Sequence, residues 1–176
     1  MGVVTISQEI TVARALLPCS VVLTNPAGVN DLTEKIIGGA IRVHRDKGPG
    51  LLESVYLECM LIELQESGLS VRQDVRVPLI YRGRHLRTVY ELDLLVQDRV
   101  IVEVKAVSAL APVHKAQLLT YLKLTGVAVG LLINFNVPVL RAGVSRLVNP
   151  SLVNRSAAAD QDRTAAASEK PYERIP

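Results

Sequence analysis

At 176 residues the chain has room for one domain with a proper core, and 49% hydrophobic with 21% charged residues places it among ordinary globular proteins. Aromatic residues make up only 3%, with no Trp, so the core must come from Leu, Val, Ile and Ala, and a binder that stacks single strands on aromatic platforms is disfavoured. The net charge of +3 is mild for holding nucleic acid by charge alone, and no apolar run reaches the ~18 residues of a membrane span.

Residues 1–30 show no clear period and contain Pro18, Pro26 and Gly28, so they read as an irregular arm, with at most a weak strand in ISQEITV or SVVLT. The apolar stretch ALLPCSVVL follows no basic cluster, and Pro18 before Cys19 spoils a lipoprotein cleavage site; no leader is expected. Cys19 and Cys59 have neither zinc-site nor redox spacing and give no reason to infer an oxidising compartment, so a cytoplasmic protein is expected.

A domain is expected over 31–149. Its first helix spans 31–46, with Asp31 or Thr33 as N-cap and Ile36, Ile37, Ala40, Ile41 and His44 at helical spacing. Gly48-Pro49-Gly50 stops it. A second helix over 51–67 carries Leu52, Val55, Cys59, Ile62 and Glu66 on one stripe, but other faces are apolar too, which predicts a well-buried helix. Glu53 falls in its first turn, where the helix dipole favours an anion, and Tyr56 sits on the same side. Tyr56 reads as a core residue with its hydroxyl at the rim.

A meander of strands follows: Ser70–Tyr81, a turn at Arg82-Gly83, a strand from about Leu86 to Val96, and a strand over Val100–Val107 after the turn Gln97–Arg99. The last is apolar on both faces apart from Glu103 and Lys105, the pattern of a central strand covered on both sides. Pro112 opens a third helix over 112–125, with Val113, Ala116, Leu119, Leu122 and Lys123 spread over its turns; Gly126 closes it. Gln117 and Tyr121, four apart, share a face. Residues 127–135 form another apolar strand and Gly143–Val148 an edge strand. From Pro150 the composition turns to Ala, Ser, Asp and Arg, and 150–176 is expected to be a disordered tail. The arginines Arg72, Arg76, Arg82, Arg84 and Arg87, opposed only by Asp74, could meet a phosphate backbone or simply form a solvated sheet edge.

The charges that break the apolar background are Asp93, Glu103 and Lys105. Glu103 and Lys105 share one face of their strand. If the turn has the three residues Gln97–Arg99, Val96 pairs with Val100 and Asp93 falls opposite Glu103; a two-residue turn would send the acids to opposite faces. Two opposed carboxylates repel and raise one pKa unless a cation relieves them. Magnesium takes oxygen ligands, often one or two carboxylates with water and phosphate, and a lysine beside it stabilises developing charge. The spacing D-x9-E-x-K across a hairpin therefore reads as metal-assisted phosphodiester hydrolysis.

These residues together resemble the PD-(D/E)XK nuclease superfamily, and within it the GxxExxY proteins. Gly50-Leu51-Leu52-Glu53-Ser54-Val55-Tyr56 matches the GxxExxY motif in full, Asp93 the first acid, with Leu92 in place of the proline, and Glu103-Val104-Lys105 the (D/E)XK triplet. Gln117 and Tyr121 match the Q-x-x-x-Y pattern of several such nucleases. The resemblance covers about 31–149 and implies an α+β (α/β), restriction-endonuclease-like αβββαβ core with a mixed sheet flanked by helices. It further implies Mg²⁺ or Mn²⁺ held by Asp93, Glu103 and the Val104 carbonyl with support from Glu53. Lys105 would stabilise charge, and Gln117 and Tyr121 would shape the site or touch the substrate. The partner would be nucleic acid, with DNA favoured, and no membrane; a homodimer or a protein partner is an open alternative. Two competitors stand beside a nuclease: a non-cleaving binding module for nucleic acid or protein on the same fold, and a structural protein whose charged trio is an internal ion-pair network.

Overall fold

The computed structural model describes residues 26–152; the strand considered in 1–25 and the tail beyond 152 lie outside the described residues. Helix α1 spans Pro26–Lys47 and α2 spans Glu53–Glu66. Strands β1 (Val71–Tyr81), β2 (Arg84–Val96) and β3 (Val100–Lys105) follow, then α3 (Pro112–Thr125), β4 (Val129–Asn134), a 3-10 turn (Leu140–Gly143) and β5 (Val144–Val148). No helix among the described residues is long and apolar enough to cross a membrane.

The five strands form one sheet in sequence order, and only β3 and β4 run parallel. A parallel neighbour needs a crossover, and α3 supplies it. On one face α1 and α2 bring Ile36, Ala40, Tyr56, Met60 and Leu64 against Leu94, Val102, Val104, Leu131 and Phe135. On the other, Leu118, Tyr121 and Leu122 of α3 meet Val77, Leu92, Leu95, Ile101 and Leu132. A methyl group at Gly130 would stand 2.7 Å from Leu118 Cδ1, so glycine lets α3 lie close on β4. The architecture is a mixed sheet flanked by helices, the α+β arrangement of restriction-endonuclease-like folds.

Three local expectations change. α1 starts at Pro26, not 31, so the end of the 1–30 segment is helical, and Thr33 does not cap it: its hydroxyl donates to the Asn30 carbonyl at 2.8 Å. Proline suits a first turn, where its missing N–H has no partner to lose. On α2 the buried residues are Tyr56, Met60 and Leu64, whereas Leu52 is 73% and Ile62 57% exposed. With apolar residues on several faces, the pattern had no single direction; the approach of α1 and the sheet chose one. α3 has the expected bounds, but Val113 is exposed and Leu118 buried.

Candidate active site

β3 is buried along its length until Lys105, so its charged residues are held by neighbours rather than by water. The turn between β2 and β3 has the expected three residues, with Val96 facing Val100, Leu95 facing Ile101 and Leu94 facing Val102. Asp98 and Gln97 take positive φ angles of 53° there. The ladder then stops. Asp93 and Glu103 are not a ladder pair; instead the Asp93 carboxylate accepts the Val104 N–H at 2.8 Å. Leu92 and Leu95 pack towards α3 while Leu94 packs towards α1 and α2, so the alternation of β2 breaks around Asp93. Opposite it Asp74 has φ 51°, an irregular point in β1. The sequence alternation, carried on ideally, missed this kink.

Lys105 is the hub. Its ammonium donates to Glu103 at 3.0 Å, to Glu53 at 3.2 Å and to the Val104 carbonyl at 2.7 Å, and lies 3.8 Å from Asp93. Glu53, Asp93, Glu103 and Lys105 thus converge from α2, β2 and β3, though half a hundred residues separate the first from the last. Glu53 is carried there by the loop before α2. Gly50 has φ 103°, a conformation open to glycine. Tyr56 is fully buried and stacks on Phe135, with ring centroids 4.5 Å apart. Its hydroxyl donates to the Gly48 carbonyl at 2.6 Å and accepts the Leu51 N–H at 3.1 Å. The spacing of glycine, glutamate and tyrosine is thereby explained: the tyrosine ties down the turn that presents the acid. Tyr56→Phe keeps the stacking but loses both bonds, and should cost about 1–2 kcal/mol in urea denaturation. An unchanged midpoint would show that the loop is held by something else.

Beyond β3, Asn134 at the end of β4 accepts the Val107 N–H at 3.0 Å and donates to its carbonyl at 2.8 Å, while the Phe135 N–H reaches the Lys105 carbonyl at 2.8 Å. These bonds fix the chain on either side of Lys105. His44 and His114 also have structural partners, the Val137 carbonyl and the Ala111 N–H.

Gln117 and Tyr121 share a face of α3, and Gln117 donates to the Tyr121 hydroxyl. Neither makes a hydrogen bond to the acids. Tyr121 is nevertheless close enough for them to act on it: its pKa is raised, chiefly by burial, with Glu103 and Asp93 adding to the rise. Tyr90, which the strand pattern did not single out, meets the Tyr121 ring edge-on at 5.4 Å.

The electrostatics of the centre are frustrated in a particular way. Glu103 is only 2% exposed, and its pKa is pushed up to about 7, first by burial and then by the Asp93 charge, against the pull of Lys105. Burial also raises Asp93, partly offset by the Val104 N–H and Lys105. Burial works against the charge of Lys105, but the Glu103 and Asp93 carboxylates outweigh it and its pKa is raised. One oxygen, Glu103 Oε2, is buried without a hydrogen-bond partner. An unpartnered buried acceptor is costly, and a hard cation is a chemically fitting partner for it. Among the described residues no group of three or more His, Cys, Asp and Glu side chains is arranged to hold a metal by itself. A cation here would rely on two carboxylates, a main-chain carbonyl and water, a donor set that suits magnesium or manganese better than zinc.

Comparison with curated proteins and with solved structures gave no match. A family model described as the PD-(D/E)XK nuclease superfamily matches residues 30–147, which include α1 from its fifth residue, α2, all five strands but the last residue, and every residue of the charged centre. The acids and lysine that converge at the end of β3 therefore sit in a chain that belongs to the PD-(D/E)XK nuclease superfamily.

Proposed function

We propose that this protein is a divalent-metal-dependent nuclease of the GxxExxY group that hydrolyses phosphodiester bonds, with DNA as its substrate. The observation that carries the reading is the convergence on Lys105 of Glu53, Asp93 and Glu103, with Glu103 Oε2 left without a donor. Asp93, Glu103 and the Val104 carbonyl would hold Mg²⁺ or Mn²⁺, and Glu53 would support them through water. When bound, such a cation lowers the pKa of water and offsets charge on a phosphate.

The chain's own residues have the remaining tasks. Lys105, its charge stabilised by the acids around it, stands ready to neutralise charge on the phosphate and to orient the attacking water. Binding of a cation would free its ammonium from the carboxylates for that role. Asp93 keeps its carboxylate aimed by accepting the Val104 N–H. Gln117 and Tyr121, hydrogen-bonded to each other on α3, would orient the substrate strand on that side.

The test is incubation of the purified protein with duplex and single-stranded DNA and RNA, with and without Mg²⁺ or Mn²⁺. Cleavage of DNA that needs the cation and vanishes in Asp93→Asn is the expected result. Activity that survives Asp93→Asn would exclude this centre. A non-cleaving binding module is the competing reading, favoured by the contacts of Lys105 to all three acids, which give them a counter-charge from within the chain. It predicts nucleic-acid binding indifferent to Asp93→Asn and no cleavage with either cation.

A further inference from the structure

The hairpin of β1 and β2 is longer than the core needs. Packing against α3 ends at Val77 and Tyr90, and every residue from Ile80 to Val89 is exposed. From Pro78 to the tip at Arg82-Gly83 the ribbon extends ~15 Å, at about 3.3 Å per residue. A register shift between Pro78 and Ile80 separates the root from the tip. Such bulges bend a ribbon and increase its twist.

The structure also divides the arginines of this region into two sets. At the root, Arg72 pairs with Asp98 and Arg76 with Glu91, so these two are partly neutralised within the fold. At the tip, Arg82, Arg84 and Arg87 have no ion-pair partner among the described residues, and no acid occurs between Asp74 and Glu91. A three-arginine tip is a strong local field on a chain whose net charge is only +3. Ile80, Tyr81, Leu86 and Val89 stand exposed among these arginines, with Arg82 over the Tyr81 ring at 5.4 Å. A tip stripped of acids and carrying unpaired guanidinium groups is complementary to phosphate.

We propose that the tip of this hairpin enters the major groove of double-stranded DNA, with Arg82, Arg84 and Arg87 on the flanking phosphates. A two-stranded ribbon fits that groove, and a reach of ~15 Å exceeds its depth of about 8.5 Å. The deep, narrow major groove of duplex RNA does not admit it. Tyr90 at the hairpin root meets the Tyr121 ring edge-on, so the root lies against α3, the helix that carries Gln117 and Tyr121. The exposed apolar side chains serve as groove contacts to thymine methyl groups. This inference rests on the nuclease reading for its substrate class, but it is tested by binding rather than cleavage.

The test uses the full chain with Asp93→Asn and EDTA, so that binding to a labelled 20-base-pair DNA is read without hydrolysis. The triple variant Arg82→Ala, Arg84→Ala, Arg87→Ala should weaken binding on the order of 100-fold near ~0.15 M salt. It should flatten the dependence of log K on log salt by about 2.7, at about 0.9 per phosphate contact. The corresponding triple lysine variant should keep most of the slope. Duplex RNA and single-stranded DNA should lose much less. An unchanged slope would overturn the assignment, and so would equal losses on all three nucleic acids, which would indicate a patch with no groove preference. A dimer that sedimentation shows breaking up in the alanine variant would instead assign the tip to a second copy. Metal-dependent cleavage by the wild type together with an unchanged slope removes the hairpin and leaves the activity standing. Hairpin-dependent binding without cleavage under any cation does the reverse.

Discussion

Replacing Lys105 with methionine should stop phosphodiester cleavage and lower the stability of the metal-free protein at once. The catalytic loss is expected to be at least about 10²–10³-fold, the scale for removing a group that stabilises transition-state charge. The stability loss follows from the same contacts. Lys105 is 12% exposed and faces Glu53, Asp93 and Glu103, so its removal leaves acids in a partly buried site without a counter-charge. Breaking one partner out of a buried ionic group costs about 3–5 kcal/mol. Glu53 is 44% exposed and solvent screens it, so the low end, about 3 kcal/mol, is expected. For a chain of this size that is roughly 10 °C in Tm. Adding Mg²⁺ or Mn²⁺ should restore part of the lost Tm without restoring cleavage, because a cation neutralises the acids but does not replace the ammonium at the phosphate. That split separates the catalytic reading from a purely structural ion-pair network, for which the cation would have no effect on melting. A methionine variant that melts and cleaves like the wild type would remove Lys105 from the centre.

The second large effect concerns pH. Glu103 is raised from its ordinary 4.5 to about 7, so between these values the folded protein keeps a proton that the unfolded chain has released. Stability of the metal-free protein should therefore fall as pH rises through that window, by about 3 kcal/mol in total, at about 1.4 kcal/mol per pH unit. The raised pKa of Asp93 adds a slope of the same sign. Lys105 has the same sign at higher pH: its raised pKa gives stability that is complete below 10.5 and is lost as pH climbs through the folded value. Between about 7 and 10 the curve should be nearly flat. Glu103→Gln should remove most of the acidic slope and melt above the wild type near pH 7.5. Denaturant melts across pH 4–9 in EDTA read this directly. The same proton competes with a cation, so the midpoint of Mg²⁺ activation should rise about tenfold for each pH unit below 7. A wild-type slope indistinguishable from that of Glu103→Gln would mean that Glu103 is not the group titrating.

Much of the fold was legible because local rules and tertiary contacts agree there. Pro112 and Gly126 bound α3 where punctuation alone put them, and Gly126 adopts the left-handed C-cap at φ 74°. The odd-length turn at Gln97–Arg99 set the register of β2 on β3, since a one-residue change would reverse every facing. Less was legible where several solutions satisfy the same pattern. α2 had apolar residues in too many directions for its spacing to name Tyr56, Met60 and Leu64 as the buried ones. β2 starts at Arg84, closer to the hairpin turn than the expected Leu86, because exposed arginines carry no alternation to mark a strand, whereas β1 ends at Tyr81 as expected.

At the charged centre the division has a physical reason. The sequence by itself determined that Glu103 and Lys105 share one face of a buried strand, because side chains in a strand alternate with a period of two. It placed Asp93 within reach only on the condition of an odd turn, which the structure meets. Only the tertiary structure decided how they meet: the kink around Asp93 ends the ladder and turns its carboxylate to the Val104 N–H. Only it brought Glu53 to Lys105 from the start of another helix, through a loop tied down by Tyr56. And only it left Glu103 Oε2 without a partner, because satisfaction of a buried atom depends on every neighbour at once and on no single stretch of chain.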